Sequence, residues 1–199
     1  MVSNEPTFQE TYDTFQPKIL RYLARLVGEH EAKDLTQSVF VKVHQGLMDF
    51  RGESTLSTWI YRIATNVARD RLRTSVLPSP NDENLSKITP EKGEAETDTI
   101  ADSSPTVEQQ LIRGEMAACI RDIVNRLPES YRTVIVLSEL EGFNNRDLAE
   151  ILNVSLDTVK IRLHRARVRL KQELENHCSF YLDERSEFAC DRKECPQSN

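Results

Sequence analysis

Hydrophobic residues recur every three or four positions along most of this chain, which is the spacing of a buried helix face. The first such pattern starts at Phe8, is interrupted by Pro17 and stops at Gly28. Proline breaks the hydrogen bonds of a helix interior and glycine favours helix ends, so we expect a kinked helix, or two helices in line, ending at Gly28. The same spacing predicts helices at 31–47 and 57–73.

The helical pattern fails in the middle of the chain and then returns. Residues 74–105 are rich in Pro, Ser, Thr and acidic side chains and have almost no large apolar residues, which predicts an extended or disordered acidic linker. Helices are predicted again at 106–126 and from Pro128 to Gly142. We therefore expect an all-α fold of two small helical domains. The predicted boundaries are 1–73, the linker 74–105, the second domain 106–175 and a cysteine-containing tail 176–199.

The most informative stretch is 144–174, which predicts two helices joined by a tight turn at 153–155. Ser155 is a suitable cap for the second helix. At about 100° per residue, one face of this helix is apolar and faces inward: Leu156, Val159, Leu163, Ala166 and Leu170. The opposite face carries Asp157, Ile161, His164, Arg165 and Val168. A short helix with an outward basic face after a tight turn fits the major groove of DNA, whereas the alternative is a solvated basic helix on an ordinary bundle.

The helix at 57–73 also carries arginines, and they alternate with Trp59 and Tyr61. Aromatic rings stack on unpaired bases and arginines hold phosphates, which predicts a single-strand-binding surface. The other interpretation is that both aromatics belong to the core, with arginines extending past them to solvent. The residue pattern of this helix alone favours the second interpretation.

Composition limits the classes of function. The formal net charge is −6, so any surface for nucleic acid must be local. No apolar run approaches the roughly 18 residues of a membrane-spanning helix, and no signal peptide is recognisable, so we expect a cytoplasmic protein without membrane insertion. No Gly-rich phosphate loop and no nucleophile–base arrangement is present, which argues against an enzyme.

The tail holds three of the four cysteines of the chain. Zinc is the metal that its ligand types would suit, with His177, Cys178, Cys190 and Cys195 as the candidate ligands. Their spacing lacks the two-residue separation of a zinc knuckle, and the alternative is a partly disordered tail with free thiols. We predict no other cofactor.

These motifs together resemble the sigma-70 family of RNA polymerase sigma factors, in its small extracytoplasmic-function group. DLTQSVFVKVHQGL at 34–47 resembles the region 2 helix that binds core polymerase, and FRGESTLSTWIYRIATNVARDRLR at 50–73 resembles the segment that melts and reads the minus-ten element. The stretch 127–170 resembles region 4, which reads the minus-thirty-five element. The order of the three motifs, on either side of an acidic linker, makes the resemblance specific.

The resemblance implies a promoter-specificity factor with core RNA polymerase and promoter DNA as partners, often controlled by an anti-sigma factor and induced by stress, envelope damage or metals. It implies a polymerase-binding surface at Asp34, Gln37, Phe40 and Lys42. The residues implied for minus-ten melting are Arg51, Gly52, Glu53, Ser54, Thr55, Arg62, Asn66 and Arg69. The residues that we expect to read the minus-thirty-five element are Thr158, Lys160, Ile161, Arg162, His164, Arg165 and Arg167.

A stand-alone helix-turn-helix regulator is the rival hypothesis from another class. It predicts a dimer and a palindromic DNA site. The polar stripe on the helix at 31–47 and the long acidic linker argue against it, because neither is needed by such a regulator.

Overall fold

The computed structural model describes residues 7–75, 119–182 and 188–192. The first half contains α1 (Phe8–Val27), α2 (Glu29–Gly46), a 3-10 turn (Leu47–Asp49) and α3 (Leu56–Ser75). The second half contains α4, helical over the described residues 119–126, and α5 (Glu129–Ile135), which continues as a π-helical turn (Val136–Leu140). The helices α6 (Asn145–Leu152) and α7 (Leu156–His177) follow. Two short antiparallel strands, β1 (Cys178–Leu182) and β2 (Phe188–Arg192), end the described chain.

The first helix runs unbroken through Pro17, so the alternative of two helices in line is wrong. Its start is fixed by a reciprocal pair: the Glu10 backbone N–H donates to Thr7 Oγ1 (3.3 Å), and the Thr7 N–H donates to the Glu10 carboxylate (2.9 Å). Its predicted end is confirmed, because Gly28 has φ 90°, a conformation that favours glycine. The all-α fold is therefore confirmed, with one small hairpin added at its end.

The helix-turn-helix has the predicted local geometry. Asn144 caps α6 by accepting hydrogen bonds from the Arg146 and Asp147 backbone N–H groups at 2.8 and 3.1 Å. Asn153 occupies the left-handed region (φ 53°), which asparagine tolerates better than most residues. The Ser155 hydroxyl then accepts from the Thr158 N–H (3.2 Å) and caps α7. The turn is therefore built by three polar residues.

Buried side chains of both halves form one continuous core. Helix α3 packs against α6, and α1 approaches α5. Fully buried residues from the first half, such as Tyr22 and Ile60, belong to the same cluster as Leu148 and Val159 of the second. The sequence predicts two separate domains, but the structure brings them into contact. None of the described helices is both long and apolar enough to cross a membrane.

Some predictions from the sequence concern residues outside the described ones, and others differ from the structure at element ends. The linker from residue 76 and the start of the predicted helix at 106–126 lie outside the described residues. Helix α7 does not end near residue 174 but continues to His177, and the described part of the tail forms a hairpin that the sequence does not predict. Leu156, which we assign to the inward face, is 36% exposed because it sits at the first position of α7, beyond the packed part of the helix.

Candidate nucleic-acid interface

The second helix of the helix-turn-helix presents the predicted outward face. Val159, Leu163 and Ala166 are buried against the core, whereas Ile161 on the opposite face is 52% exposed. His164 is exposed beside it. An exposed branched apolar side chain among polar neighbours has no core to join, but it can contact a thymine methyl group. The geometry therefore allows this face to enter a DNA groove.

Ion pairs divide the arginines of α7 into two groups. Arg167 donates to Glu139 at 2.7 Å and Arg169 pairs with Glu173 at 2.7 Å. Neither Arg162 nor Arg165 has an ion-pair partner among the residues that the structure describes. Lys160 lies 3.8 Å from Asp157, in an exposed pair that contributes little. Arg162 and Arg165 are half-buried, but no carboxylate among the described residues competes for their guanidinium groups, so both can contact phosphates or bases.

The loop before α3 forms a cleft with the start of that helix. Arg51, Glu53 and Ser54 line a cavity of about 540 Å³, together with Asp49, Phe50, Trp59, Arg62 and Glu150. The Trp59 ring lies against Phe50 with centroids 5.3 Å apart, which makes this tryptophan part of the wall. Gly52 adopts φ 68°, so the loop turns at a residue without a side chain.

Thr55 has a structural role that the resemblance to the family does not indicate. Its hydroxyl accepts a hydrogen bond from the Thr58 backbone N–H (3.1 Å) and contacts the Thr58 hydroxyl (2.8 Å). This is the geometry of a helix cap, and Thr58 is buried. Thr55 therefore fixes the start of α3, and the loop residues before it remain for contacts with a base.

A second cleft lies between the two halves and brings the two candidate DNA readers together. Arg62, Asn66, Arg69 and Arg73 of α3 line one wall, and the turn residue Asn153 and Arg162 of α7 line the other. Its volume is about 540 Å³. Four arginines line this cleft, three from α3 and one from α7, together with the acidic side chain of Glu129. The cleft is therefore strongly basic, as a site for phosphates requires.

The structure removes one residue from the candidate polymerase surface on α2 and places two exposed apolar residues near it, one on α2 and one in the 3-10 turn that follows. Asp34, Gln37 and Lys42 are exposed, as a docking surface requires. Phe40 is 3% exposed and packs edge-on against Tyr12, so its side chain serves the core and is unavailable to a partner. Nearby, Val41 is 57% and Met48 is 91% exposed. These two apolar side chains could add contact area to a docking surface, whereas single exposed apolar residues are also common on surfaces that bind nothing.

One carboxylate joins the two halves. Glu141, just after the π-helical turn, accepts a hydrogen bond from Arg25 of α1 (2.6 Å) and another from the Tyr61 hydroxyl of α3 (2.6 Å). The Tyr61 ring packs edge-on against Phe143, with centroids 4.7 Å apart. In addition, Arg132 donates to the Leu26 carbonyl (3.0 Å). We call this set of contacts the Glu141 clamp. It assigns Tyr61 to the core, which confirms the second interpretation of the α3 aromatics for this residue.

A chain of hydroxyl groups runs beneath the clamp. The Thr65 hydroxyl donates to the Tyr61 carbonyl (2.7 Å), so the Tyr22 hydroxyl must donate to Thr65 Oγ1 (2.7 Å). Burial raises the pKa of Tyr22 well above its usual range. Burial, followed by the hydrogen bond to Glu141, raises the pKa of Tyr61 in the same direction. Both tyrosines therefore stay protonated in the folded state.

These raised pKa values predict a loss of stability in alkali. Above pH 10 the tyrosines lose their protons in the unfolded chain but keep them in the folded one, so the free energy of unfolding falls as pH rises. Each tyrosine contributes up to about 1.4 kcal/mol per pH unit. We expect Tyr22→Phe to reduce this slope by about a third between pH 10 and 11, as measured by urea unfolding, because Tyr61 and Cys178 still contribute to it. Tyr12→Phe, at the surface, is the control and should leave the slope unchanged; an unchanged slope in Tyr22→Phe would contradict the prediction.

In the tail, the thiol of Cys178 lies next to the thiols of Cys119 and Cys190. Cys178 begins β1 and is buried, and its Sγ lies 3.5 Å from Sγ of Cys119 at the start of the described part of α4. Burial and the neighbouring thiols raise the pKa of Cys178 to about 11. His177 Nδ1 contacts the Glu173 carbonyl (2.8 Å), and Cys195 lies outside the described residues. In the part of the chain that the structure describes, no group of three or more His, Cys, Asp or Glu side chains could hold a metal ion.

Sequence comparisons match both halves of the chain in the expected order. The family model for Sigma-70 region 2 matches residues 11–76, and the model for Sigma-70, region 4 matches residues 117–170. The RNA polymerase sigma-H factor of Pseudomonas aeruginosa is 34% identical over 81% of this chain and 82% of its own. The ECF RNA polymerase sigma-E factor of Haemophilus influenzae is 30% identical over 86% of this chain and 89% of its own.

The fold agrees with solved structures. The sigma factor RpoE of Bartonella quintana, solved in complex with the anti-sigma factor NepR, gives a TM-score of 0.58 at 22% identity and covers 84% of this chain and 96% of that one. CnrH, solved with the cytosolic domain of CnrY, gives 0.58 at 21% identity, covering 87% of this chain and 91% of that one. With the same two regions in the same order and a helix-turn-helix in the second, the chain belongs to the extracytoplasmic-function group of sigma-70 factors, which are DNA-binding factors of transcription initiation and not enzymes.

Proposed function

We propose that this chain directs RNA polymerase to its promoters with two separate readers, the outward face of α7 and the loop and outer face of α3. The carrying observation is that Ile161 and His164 are exposed on α7, beside Arg165, which has no ion-pair partner among the described residues. Arg162 and Arg165 would position the helix and read bases, with Lys160 and Thr158 at its start. Arg167 contributes less, because Glu139 competes for its guanidinium.

The minus-ten element is assigned to the other half. Arg51, Glu53 and Ser54 line a cleft large enough to receive an extruded base. Extrusion of a base costs a few kcal/mol, which contacts inside the cleft would offset. Arg62, Asn66 and Arg69 on α3 lie in the adjoining basic cleft, where they would hold the unpaired strand. In this assignment the exposed loop residues contact the base, whereas the Thr55 hydroxyl caps α3.

The two readers must separate before both can act. The names of the two promoter elements place them about 25 base pairs apart, or roughly 85 Å of B-form DNA at 3.4 Å per step. In this structure Asn66 and Arg162 line the same cleft of about 540 Å³. We infer that the arrangement held by the Glu141 clamp is the form without DNA. Binding to polymerase would keep the halves apart and join two weak readers on one scaffold, which raises the overall affinity.

Polymerase docking is assigned to the exposed surface of α2, with Asp34, Gln37 and Lys42 as polar contacts and Val41 as an apolar one. We extend the proposal to action in the cytoplasm, where the polymerase works. We also propose an anti-sigma protein as a partner, supported by the sigma factor RpoE of Bartonella quintana, which was solved with the anti-sigma factor NepR. The name of the group, extracytoplasmic function, supports induction by stress, envelope damage or metals.

Run-off transcription tests the promoter function directly. Purified core RNA polymerase would be assayed with and without this chain on a pool of promoter fragments. We expect new transcripts from a restricted subset of fragments. Absence of any transcript, together with dimers and tight binding to duplex DNA without polymerase, would overturn the proposal in favour of a stand-alone regulator.

A further inference from the structure

Cys119 of α4 meets Cys178 of the hairpin, and Cys190 on the second strand of the hairpin lies beside them. Cys119 and Cys178 are separated by 59 residues, yet their sulfur atoms lie 3.5 Å apart. Cys190 on β2 is within hydrogen-bond distance of the Cys178 thiol. Cys178 is 2% exposed, whereas Cys119 is partly accessible. Promoter recognition does not require a cluster of thiols, so the proximity of these cysteines points to a separate role.

The two sulfur atoms are in contact and close to bonding distance. A disulfide bond is about 2.05 Å long, so the gap to be closed is about 1.5 Å. Small rotations about the two Cα–Cβ bonds can cover such a distance. Cys190 is placed less well for a direct bond with Cys178. The strand register pairs Cys178 with Arg192 and Cys190 with Phe180, so the two cysteines are diagonal neighbours. The Cα atoms of such neighbours are typically about 7–8 Å apart, beyond the usual disulfide range.

We propose that Cys119 and Cys178 form a reversible disulfide that fastens the hairpin to α4, with a small-molecule disulfide such as oxidised glutathione as the oxidant. Cys119 reacts first because it is the accessible member of the pair. Its thiolate attacks the oxidant, forms a mixed disulfide and releases one glutathione thiolate. That glutathione thiolate takes up the proton that Cys119 released to solvent. Cys178 then gives up its proton and attacks Cys119 Sγ, and the second glutathione leaves as a thiolate that takes up this proton. Two protein thiols are oxidised, and one oxidised glutathione is reduced to two thiols.

The bond would close a loop that contains α5, α6 and α7. Disulfides that close long loops restrict the unfolded chain most, which raises the stability of the folded form. We expect oxidation to raise the melting temperature of the full chain by at least about 5 °C. Promoter recognition plays no part in this thiol chemistry, so its test is independent of the function proposed above.

Peptide mapping provides the test, because trypsin leaves each of the four cysteines on its own peptide, 114–121, 172–185, 186–192 and 194–199. The folded full chain would be equilibrated with oxidised glutathione, alkylated and digested without reductant. We expect peptide 114–121 joined to 172–185 as the main cross-link, and its loss on reduction. Cys190→Ser should retain this cross-link and the melting shift, whereas Cys119→Ser should lose both. The same oxidation in 8 M urea (roughly a fully denaturing condition) should give mixed pairings.

Several results would overturn the proposal. One is a main cross-link between 172–185 and 186–192, which would make the hairpin strands the bonded pair. A second is dominance of intermolecular bonds in the folded protein. A third is protection of three thiols from alkylation by one equivalent of Zn²⁺ added to the reduced chain, which would make the cluster a metal site. We expect added Zn²⁺ to leave the thiols reactive.

Discussion

Replacing Glu141 with alanine is expected to open the molecule while each half stays folded. The Glu141 side chain is 11% exposed and holds groups from α1 and α3, whereas its own position lies in the second half. Its removal leaves the buried Tyr61 hydroxyl without its acceptor, at a cost of about 1–3 kcal/mol. Arg25 is 34% exposed and can return to water, so its loss adds less. A total near 2 kcal/mol would shift the closed-to-open ratio roughly 30-fold.

Small-angle X-ray scattering measures this opening as a larger radius of gyration, and circular dichroism checks that helix content is kept. Glu173→Ala is the matched control. Its carboxylate is similarly shielded, at 14% exposed, but its partner Arg169 lies on the same helix, so the halves should stay together. Tyr61→Phe should open the molecule less than Glu141→Ala, because Arg25 keeps its partner. An unchanged radius in Glu141→Ala would show that the continuous apolar core alone holds the closed form.

The helices and their buried faces could be predicted because they depend on local sequence. The spacing of Val159, Leu163 and Ala166 is enough to identify the inward face of α7, and Gly28 is enough to identify the end of α1. A left-handed turn at Asn153 also follows from its own chemistry. In each case the physical cause lies within a few residues of the effect.

The contacts between the halves could not be predicted in this way. Glu141 is one acid among the 32 acidic residues of the chain, and its partner Tyr61 is 80 residues away. The pattern of α3 alone allows Tyr61 to stack on bases or to join a core, and only its position against Phe143 decides between these roles. The contact between Cys119 and Cys178 is equally hidden in the sequence, because the two cysteines are 59 residues apart. The burial of Phe40 is also not evident from its own helix, because it depends on Tyr12 of another helix.

Ion pairs that the sequence does not reveal decide which arginines of α7 can contact DNA. Six basic side chains on α7 look equivalent when the chain is read as a pattern. In the structure, Arg167 and Arg169 are held by carboxylates, and Arg165 has no such partner among the described residues. Availability therefore differs between residues of the same type on the same helix, which provides a matched pair for experiment.

Arg165→Ala is expected to reduce transcription from the selected promoters by roughly 10–100-fold, because a good base contact contributes about 1–3 kcal/mol of discrimination. Arg169→Ala removes the same chemical group from the same helix, but from a guanidinium already paired with Glu173 at 2.7 Å. We expect it to stay within about twofold of wild type, since exposed ion pairs contribute about 0–1 kcal/mol.

The measurement is run-off transcription with core polymerase at two salt concentrations. If Arg165 reads a base, its loss relaxes sequence preference; if it holds a phosphate, activity falls on all fragments and the salt dependence weakens by about one charge. Equal activity of Arg165→Ala and wild type would remove this face of α7 from the proposed reader.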